Sequence, residues 1–181
     1  MAGVELPIEA EEFLTFMATE KGRSANTLAA YRRDLSGYCT WLEARGASVL
    51  DVDHSNLVAF VGERRASGAA TSSIARQLAA IRMLHRHLAV EGHRPDDPAA
   101  ELEGVRVPAG IPKPLTEAQV LSLLDAVVGN EPVHRRDRAL LELLYATGAR
   151  ISEVVGLSVG EIDLDDRLVR LYGKGAKERI V

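Results

Sequence analysis

Across the first 92 residues, apolar positions recur every three or four residues, the spacing that lines one face of a helix. Phe13, Leu14, Phe16 and Met17 predict a first helix over Ile8–Lys21, ended by Gly22. Leu28, Tyr31, Leu35, Tyr38 and Leu42 predict a second, with Ser24 or Asn26 as its N-cap and Gly46 beyond its end. Leu57, Phe60 and Val61 mark a shorter helix, roughly Ser55–Ala66, followed by Gly68. Ile74, Leu78, Ile81, Leu84 (or His85) and Leu88 mark a fourth, about Ser72–Glu91, before Gly92. Four amphipathic helices joined by short turns form a compact bundle.

The pattern then breaks. Residues 93–114 hold five prolines and no sustained period, so this stretch reads as an interdomain linker between a helical domain, 1–92, and a second part, 115–181. Thr116 and Gln119 have capping-box spacing for a helix over Glu117–Val128. Leu140, Leu141, Leu143 and Leu144 carry another, about Arg136–Ala146, and a short helix is expected from Arg150 to Gly156 after Thr147-Gly148. The period next shortens to two. Ile162–Leu164, an Asp165-Asp166 turn and Leu168–Tyr172 predict strands, Gly173–Lys177 a hairpin turn, and Glu178–Val181 the start of a return strand. A chain that stops inside an apolar strand leaves an open sheet edge, which leads us to expect truncation.

Composition narrows the class. Apolar residues are 46% of the 181 and charged residues 27%, a globular balance. No apolar run approaches the roughly 20 residues of a membrane span, and the acidic start lacks the basic region of a secretory signal. The single cysteine, Cys39, cannot form an internal disulfide or a multi-thiolate zinc site; it fits a reducing cytoplasm. The net charge of −4 is unfavourable for nucleic-acid binding, but the charge is segregated. From Arg64 to Arg94 six arginines face one acid, Glu91, whereas 96–181 holds 11 basic and 15 acidic residues. An arginine-rich stripe suits phosphate neutralisation, although a solvated helix face gives the same count.

Two segments could carry chemistry. In 146–154, Arg150 follows a glycine where a helix begins, a place where a guanidinium and free backbone N–H groups can hold a phosphate. In 173–179, Lys174 lies between two glycines at a hairpin tip, where nothing blocks its reach into a groove. A surface arginine and a turn lysine would look the same by residue type alone.

Order and spacing separate the two readings. Ala146–Val154 matches A-T-G-x-R-x-S-E-L with valine for the final leucine, and Gly173–Arg179 matches G-K-G-x-K-E-R. Thr27–Leu35 matches T-x-x-A-Y-R-R-D-L, and Asp96–Ala99 a D-D-P-A element. With these motifs the chain resembles the tyrosine recombinase family, in its bacterial XerC/XerD branch and nearer the XerD side. The resemblance implies a mainly α fold, with a four-helix SAM-like core-binding domain before an incomplete mixed α/β catalytic domain. It implies DNA contact from Arg32, Arg33, Arg76, Arg82 and Arg86 on the second and fourth helices. Arg150 would be one of two arginines clamping the scissile phosphate, and Lys174 the acid that protonates the departing 5′ oxygen.

A tyrosine would attack the phosphorus, giving a 3′-phosphotyrosyl link without ATP, metal or other cofactor. The implied partners are a duplex DNA recombination site and a second Xer recombinase in a synaptic tetramer, and the implied role is chromosome dimer resolution at cell division. The tyrosines 31, 38, 145 and 172 fit helices or a strand rather than the nucleophile's place, and no histidine has an arginine three residues later. The 181 residues alone are therefore expected to be inactive, and a DNA-binding fragment without strand exchange is the alternative.

Overall fold

The computed structural model describes residues 5–108, 110, 113–173 and 177–181 and divides the chain into two compact units, 1–110 and 111–181. In the first unit the apolar stripes become α1 (Ile8–Thr19), α2 (Ala25–Glu43), α3 (His54–Ala66) and α4 (Thr71–Val90). Ser24, rather than Asn26, caps α2, its hydroxyl accepting from the Thr27 amide at 3.3 Å. Asp53 and Asn56 close a reciprocal capping box on α3. At Gly46, φ is +67°, a left-handed turn that lets the chain leave α2 at no side-chain cost.

The core of this unit gathers Phe13 and Met17 from α1, Leu35, Tyr38 and Leu42 from α2, Leu57 and Phe60 from α3, and Ile81, Leu84 and Leu88 from α4. Both Leu84 and His85 are fully buried, so α4 turns a wider face inward than a single leucine stripe requires. His85 is tolerated there because its polar atoms are met: Nε2 lies 2.8 Å from the Tyr38 hydroxyl and Nδ1 lies 3.4 Å from Arg94 Nη1. Arginine can only donate, so Nδ1 is the bare nitrogen and Nε2–H donates to Tyr38.

Residues 93–110, expected to be linker, are assigned to the first unit. Ala99 and Leu102 enter its core. Arg94 is buried, donating from Nη1 to the Val49 carbonyl at 3.0 Å and from Nη2 to the Val52 carbonyl at 2.9 Å. Those carbonyls belong to the turn between α2 and α3, which would otherwise bury them without partners. The proline count signalled an irregular backbone, and its first part, through Leu102, packs onto the bundle, while most of 103–108 is exposed.

The second unit holds α5 (Glu117–Asp125), α6 (Pro132–Thr147), α7 (Ile151–Val155), a 3-10 turn and three strands, β1 (Ile162–Asp163), β2 (Leu168–Tyr172) and β3 (Glu178–Ile180). α6 starts at Pro132, ahead of the expected Arg136, because proline at the first helical position loses no hydrogen bond. α5 ends at Asp125, ahead of the expected Val128. The strands form an antiparallel sheet in the order β1-β2-β3, with Leu171 opposite Arg179 and Tyr172 opposite Glu178. Val169 and Leu171 point to the buried face, alternating with exposed neighbours as period two demands. Among the described residues of this unit only Glu153, Val154, Val169 and Leu171 are buried. Its core is thin compared with that of the first unit.

Candidate nucleic-acid interface and phosphate site

The five arginines expected at a DNA surface divide into two groups. Arg32 is paired with Glu11 of α1, which holds the Glu11 carboxyl below its ordinary value. Arg76 forks onto Asp34, with Nε to Oδ2 at 2.8 Å and Nη2 to Oδ1 at 3.0 Å. The Asp34 side chain is only 9% exposed, and the neighbouring Gln77 donates to the Asp34 carbonyl at 3.0 Å. Arg76 thus ties α4 to α2 as a bidentate structural pair. Arg33, Arg82 and Arg86 are exposed and make no ion pair among the described residues. Arg82 and Arg86 are four residues apart, on one face of α4, and line a cleft of about 350 Å³ with Asp97, Ala99 and Ala100.

In the second unit, Gly148 takes φ +59° at the end of α6, and the chain re-enters a helix at once with Arg150 at the N-cap of α7. The site is organised by a residue the sequence reading did not single out. Glu153, its side chain 3% exposed, accepts the Arg150 amide at 2.8 Å on Oε2 and Arg150 Nη1 at 2.9 Å on Oε1. Of the backbone N–H groups expected to be free at this helix start, that of Arg150 is therefore already used. Arg179 of β3 donates from Nη2 to Glu153 Oε2 at 2.8 Å. These donors, led by the Arg150 amide, hold the Glu153 carboxyl below its ordinary range, so it stays ionised.

One edge of the Arg150 guanidinium is fixed in this way while 66% of its side chain remains exposed, an arrangement that keeps donors open toward an incoming anion. The hairpin closes nearby, the Gly173 amide donating to the Lys177 carbonyl at 2.7 Å. A Cβ on Gly173 would stand 3.2 Å from Glu153 Oε1 and 3.9 Å from Arg150 Nη1, so glycine permits the close approach of the hairpin base to the carboxylate. Lys174, the expected acid at the tip, lies outside the described residues. The signal that could have revealed Glu153 was its i+3 spacing from Arg150; its contact with Arg179, 26 residues away, has no local signature. Among the described residues there is no cluster of metal-ligating side chains, and no helix is long and apolar enough to cross a membrane.

The chain thus joins a four-helix unit whose Arg33 on α2 and Arg82 and Arg86 on α4 are unpaired among the described residues to a helix–sheet unit presenting a half-held arginine, and comparisons with known proteins identify the family. Residues 10–92 match the N-terminal SAM-like domain of phage integrases, and residues 113–181 match the phage integrase family. The chain belongs to the tyrosine recombinase family.

Within the family it is similar to the tyrosine recombinase XerD of Pasteurella multocida, 43% identical over 171 residues that cover 94% of this chain and 58% of that protein. It is likewise 44% identical over 169 residues to XerD of Haemophilus influenzae, covering 93% of this chain and 57% of that protein. The chain thus spans under three fifths of the curated relatives it matches. Its fold is similar to that of a lambda integrase tetramer bound to a Holliday junction, with a TM-score of 0.73 and 17% identity, covering 96% of this chain and 49% of that one. It is also similar to XerH bound to a palindromic difH substrate, with a TM-score of 0.69 and 17% identity, covering 95% and 52%. The fold is accordingly mainly helical, a SAM-like unit followed by part of a recombinase catalytic domain.

Proposed function

We propose that this chain supplies the DNA-binding unit and part of the phosphate site of a site-specific tyrosine recombinase. The observation that carries the reading is the meeting of Arg150, Glu153 and the base of the 173–177 hairpin on one buried carboxylate. On this reading the first unit grips duplex DNA, with Arg33, Arg82 and Arg86 making phosphate or base-edge contacts. Arg32 and Arg76 serve chiefly to hold the helices in register. The chain divides its labour between a core-binding part and a catalytic part joined near the prolines of 108–114.

In the reaction, Arg150 neutralises charge that develops on the nonbridging oxygens of the scissile phosphate, a role suited to a guanidinium held in advance. Lys174 delivers a proton to the 5′ oxygen as the phosphorus–oxygen bond breaks. A tyrosine oxygen forms the new bond, and the 3′-phosphotyrosyl link conserves its energy for religation. Neither metal nor nucleotide cofactor enters this chemistry. The assembly is a synaptic tetramer with a partner Xer recombinase on a duplex recombination site in the cytoplasm, and the biological task is resolution of chromosome dimers before cell division.

A second reading concerns the 181 residues alone. Tyr38 is buried against His85, Tyr31 and Tyr145 sit on helices and Tyr172 ends β2, so the chain by itself is read as occupying a site without cutting it. A nicked duplex that traps covalent protein–DNA adducts tests both readings. The full-length protein should form a detergent-stable adduct, and Arg150→Ala should abolish it while leaving gel-shift binding within about threefold. Adduct formation by the 181 residues would refute the second reading, and undiminished turnover by Arg150→Ala would refute the first.

A further inference from the structure

Arg179 belongs to no role assigned above, yet its side chain completes the environment of Glu153. Leu171 and Arg179 are directly paired across β2 and β3, so their side chains share the face of the sheet on which Leu171 is buried. From there Arg179 Nη2 reaches Glu153 Oε2, the same oxygen that accepts the Arg150 amide. The other oxygen, Oε1, takes Arg150 Nη1. Without Arg179 the carboxylate would be held by α7 alone, through two donors of the very residue it must orient, and it could turn with that residue. With Arg179 its plane is fixed from the sheet. The second arginine of the hairpin, Arg170, lies on the opposite face and pairs with Glu178 at 3.0 Å, outside this set.

We infer that Arg179 is a positioning residue for Arg150, acting through Glu153: it fixes the carboxylate from β3 so that the Arg150 guanidinium is presented to the scissile phosphate in one orientation. The inference rests on the proposed recombinase reading, and deepens it by making the orientation of Arg150 depend on a residue of β3, 29 positions later in the chain. A charge on β3 near a buried carboxylate could instead serve only to hold the sheet on α7. The two roles differ in what they do to a substrate that carries no charge for Arg150 to neutralise.

The experiment uses two substrates and two proteins. In the full-length protein, Arg179→Ala should lower cleavage of a normal phosphodiester by about tenfold to a hundredfold, as expected when a catalytic guanidinium is misplaced. A methylphosphonate at the scissile position replaces one nonbridging oxygen by methyl and removes that negative charge. There the deficit of Arg179→Ala relative to wild type should shrink to within about threefold, in parallel with Arg150→Ala. Arg179→Lys, which keeps a donor, should recover part of the phosphodiester rate, and Arg170→Ala should cleave both substrates as wild type does.

In the 181-residue chain, hydrogen exchange at the Arg150 amide supplies a readout independent of activity. It should quicken about tenfold or more in Arg179→Ala and stay unchanged in Arg170→Ala. A phosphodiester deficit that persists in full on the methylphosphonate, or an Arg150 amide whose exchange Arg179→Ala leaves unaltered, overturns the inference. If wild-type full-length protein cleaves neither substrate, the recombinase reading itself fails, and the exchange result still decides whether Arg179 holds Glu153.

Discussion

Replacing Arg94 by alanine should destabilise the first unit more than any surface charge change, and the structure says by how much. The guanidinium is the hydrogen-bond partner of two turn carbonyls, Val49 and Val52, and approaches His85 Nδ1. A buried acceptor that loses its donor costs about 1–3 kcal/mol, so two carbonyls set a range of about 2–6 kcal/mol. Water entering the space left by the side chain recovers part of this, which places the expected loss near 3 kcal/mol.

The ion pair with Asp96 adds little, because the Asp96 side chain is 63% exposed and exposed pairs contribute under about 1 kcal/mol. Urea unfolding of residues 1–110, which contain every member of the bundle's core cluster, is the assay. With a slope of about 1.5 kcal/mol per molar urea for a unit of this size, the midpoint should fall by about 2 M in Arg94→Ala. In Asp96→Ala it should fall by less than about 0.7 M. If Arg94→Ala moved the midpoint by under about 0.5 M, or if the two variants behaved alike, the carbonyl argument would be wrong and residues 93–102 would be loosely attached after all.

Three further outcomes follow from the same contacts. Burial, with the Arg94 charge beside it, pushes the His85 pKa down to about 3 from an ordinary value near 6.5. The unfolded chain therefore takes up a proton that the folded chain refuses, so His85 costs nothing above about pH 6.5 and removes up to about 1.4 kcal/mol per pH unit as pH falls from there toward 3. Unfolding measured across that window should show a shallower loss in His85→Gln than in wild type; equal slopes would mean the imidazole is not buried neutral. For DNA binding by residues 1–110, Arg82→Ala and Arg86→Ala should each reduce the salt slope by about 1, in titrations from 50 to 200 mM salt. Arg76→Ala should leave that slope alone and lower stability by roughly 1 kcal/mol, since it strands Asp34 in the interface of α2 and α4. A reversal between the two kinds of variant would show that the grouping of the arginines is mistaken.

The helices of the first unit were legible because each carries its own period and a terminating glycine within about twenty residues. Ser24 was one of the two caps that local spacing allowed for α2, and the structure uses it; Asp53, which the spacing did not single out, caps α3. What the pattern could not supply was long-range. Arg94 looked like one more member of a basic stripe, yet its partners are carbonyls more than 40 residues earlier in the chain. Arg32 and Arg76 looked equivalent to Arg33, Arg82 and Arg86 until the carboxylates of Glu11 and Asp34 were placed beside them. In the second unit, motif spacing drew attention to Arg150 at the start of α7, but Glu153 gains its meaning only when β3 folds back to deliver Arg179. Periodicity reports which face is apolar; it carries no information about which acid meets which base.

The early completion of the first unit's core has a consequence in time. Leu102 is the last residue to enter that core, and the 79 residues from Glu103 to Val181 follow it in synthesis. At about 5–20 residues per second, those take roughly 4–16 s to make. A helical bundle rich in local contacts folds within about milliseconds. The unit bearing Arg33, Arg82 and Arg86 is therefore finished well before the strand bearing Arg179 exists to fix Glu153, so on the proposed reading the DNA-gripping part of each newly made chain precedes its phosphate site.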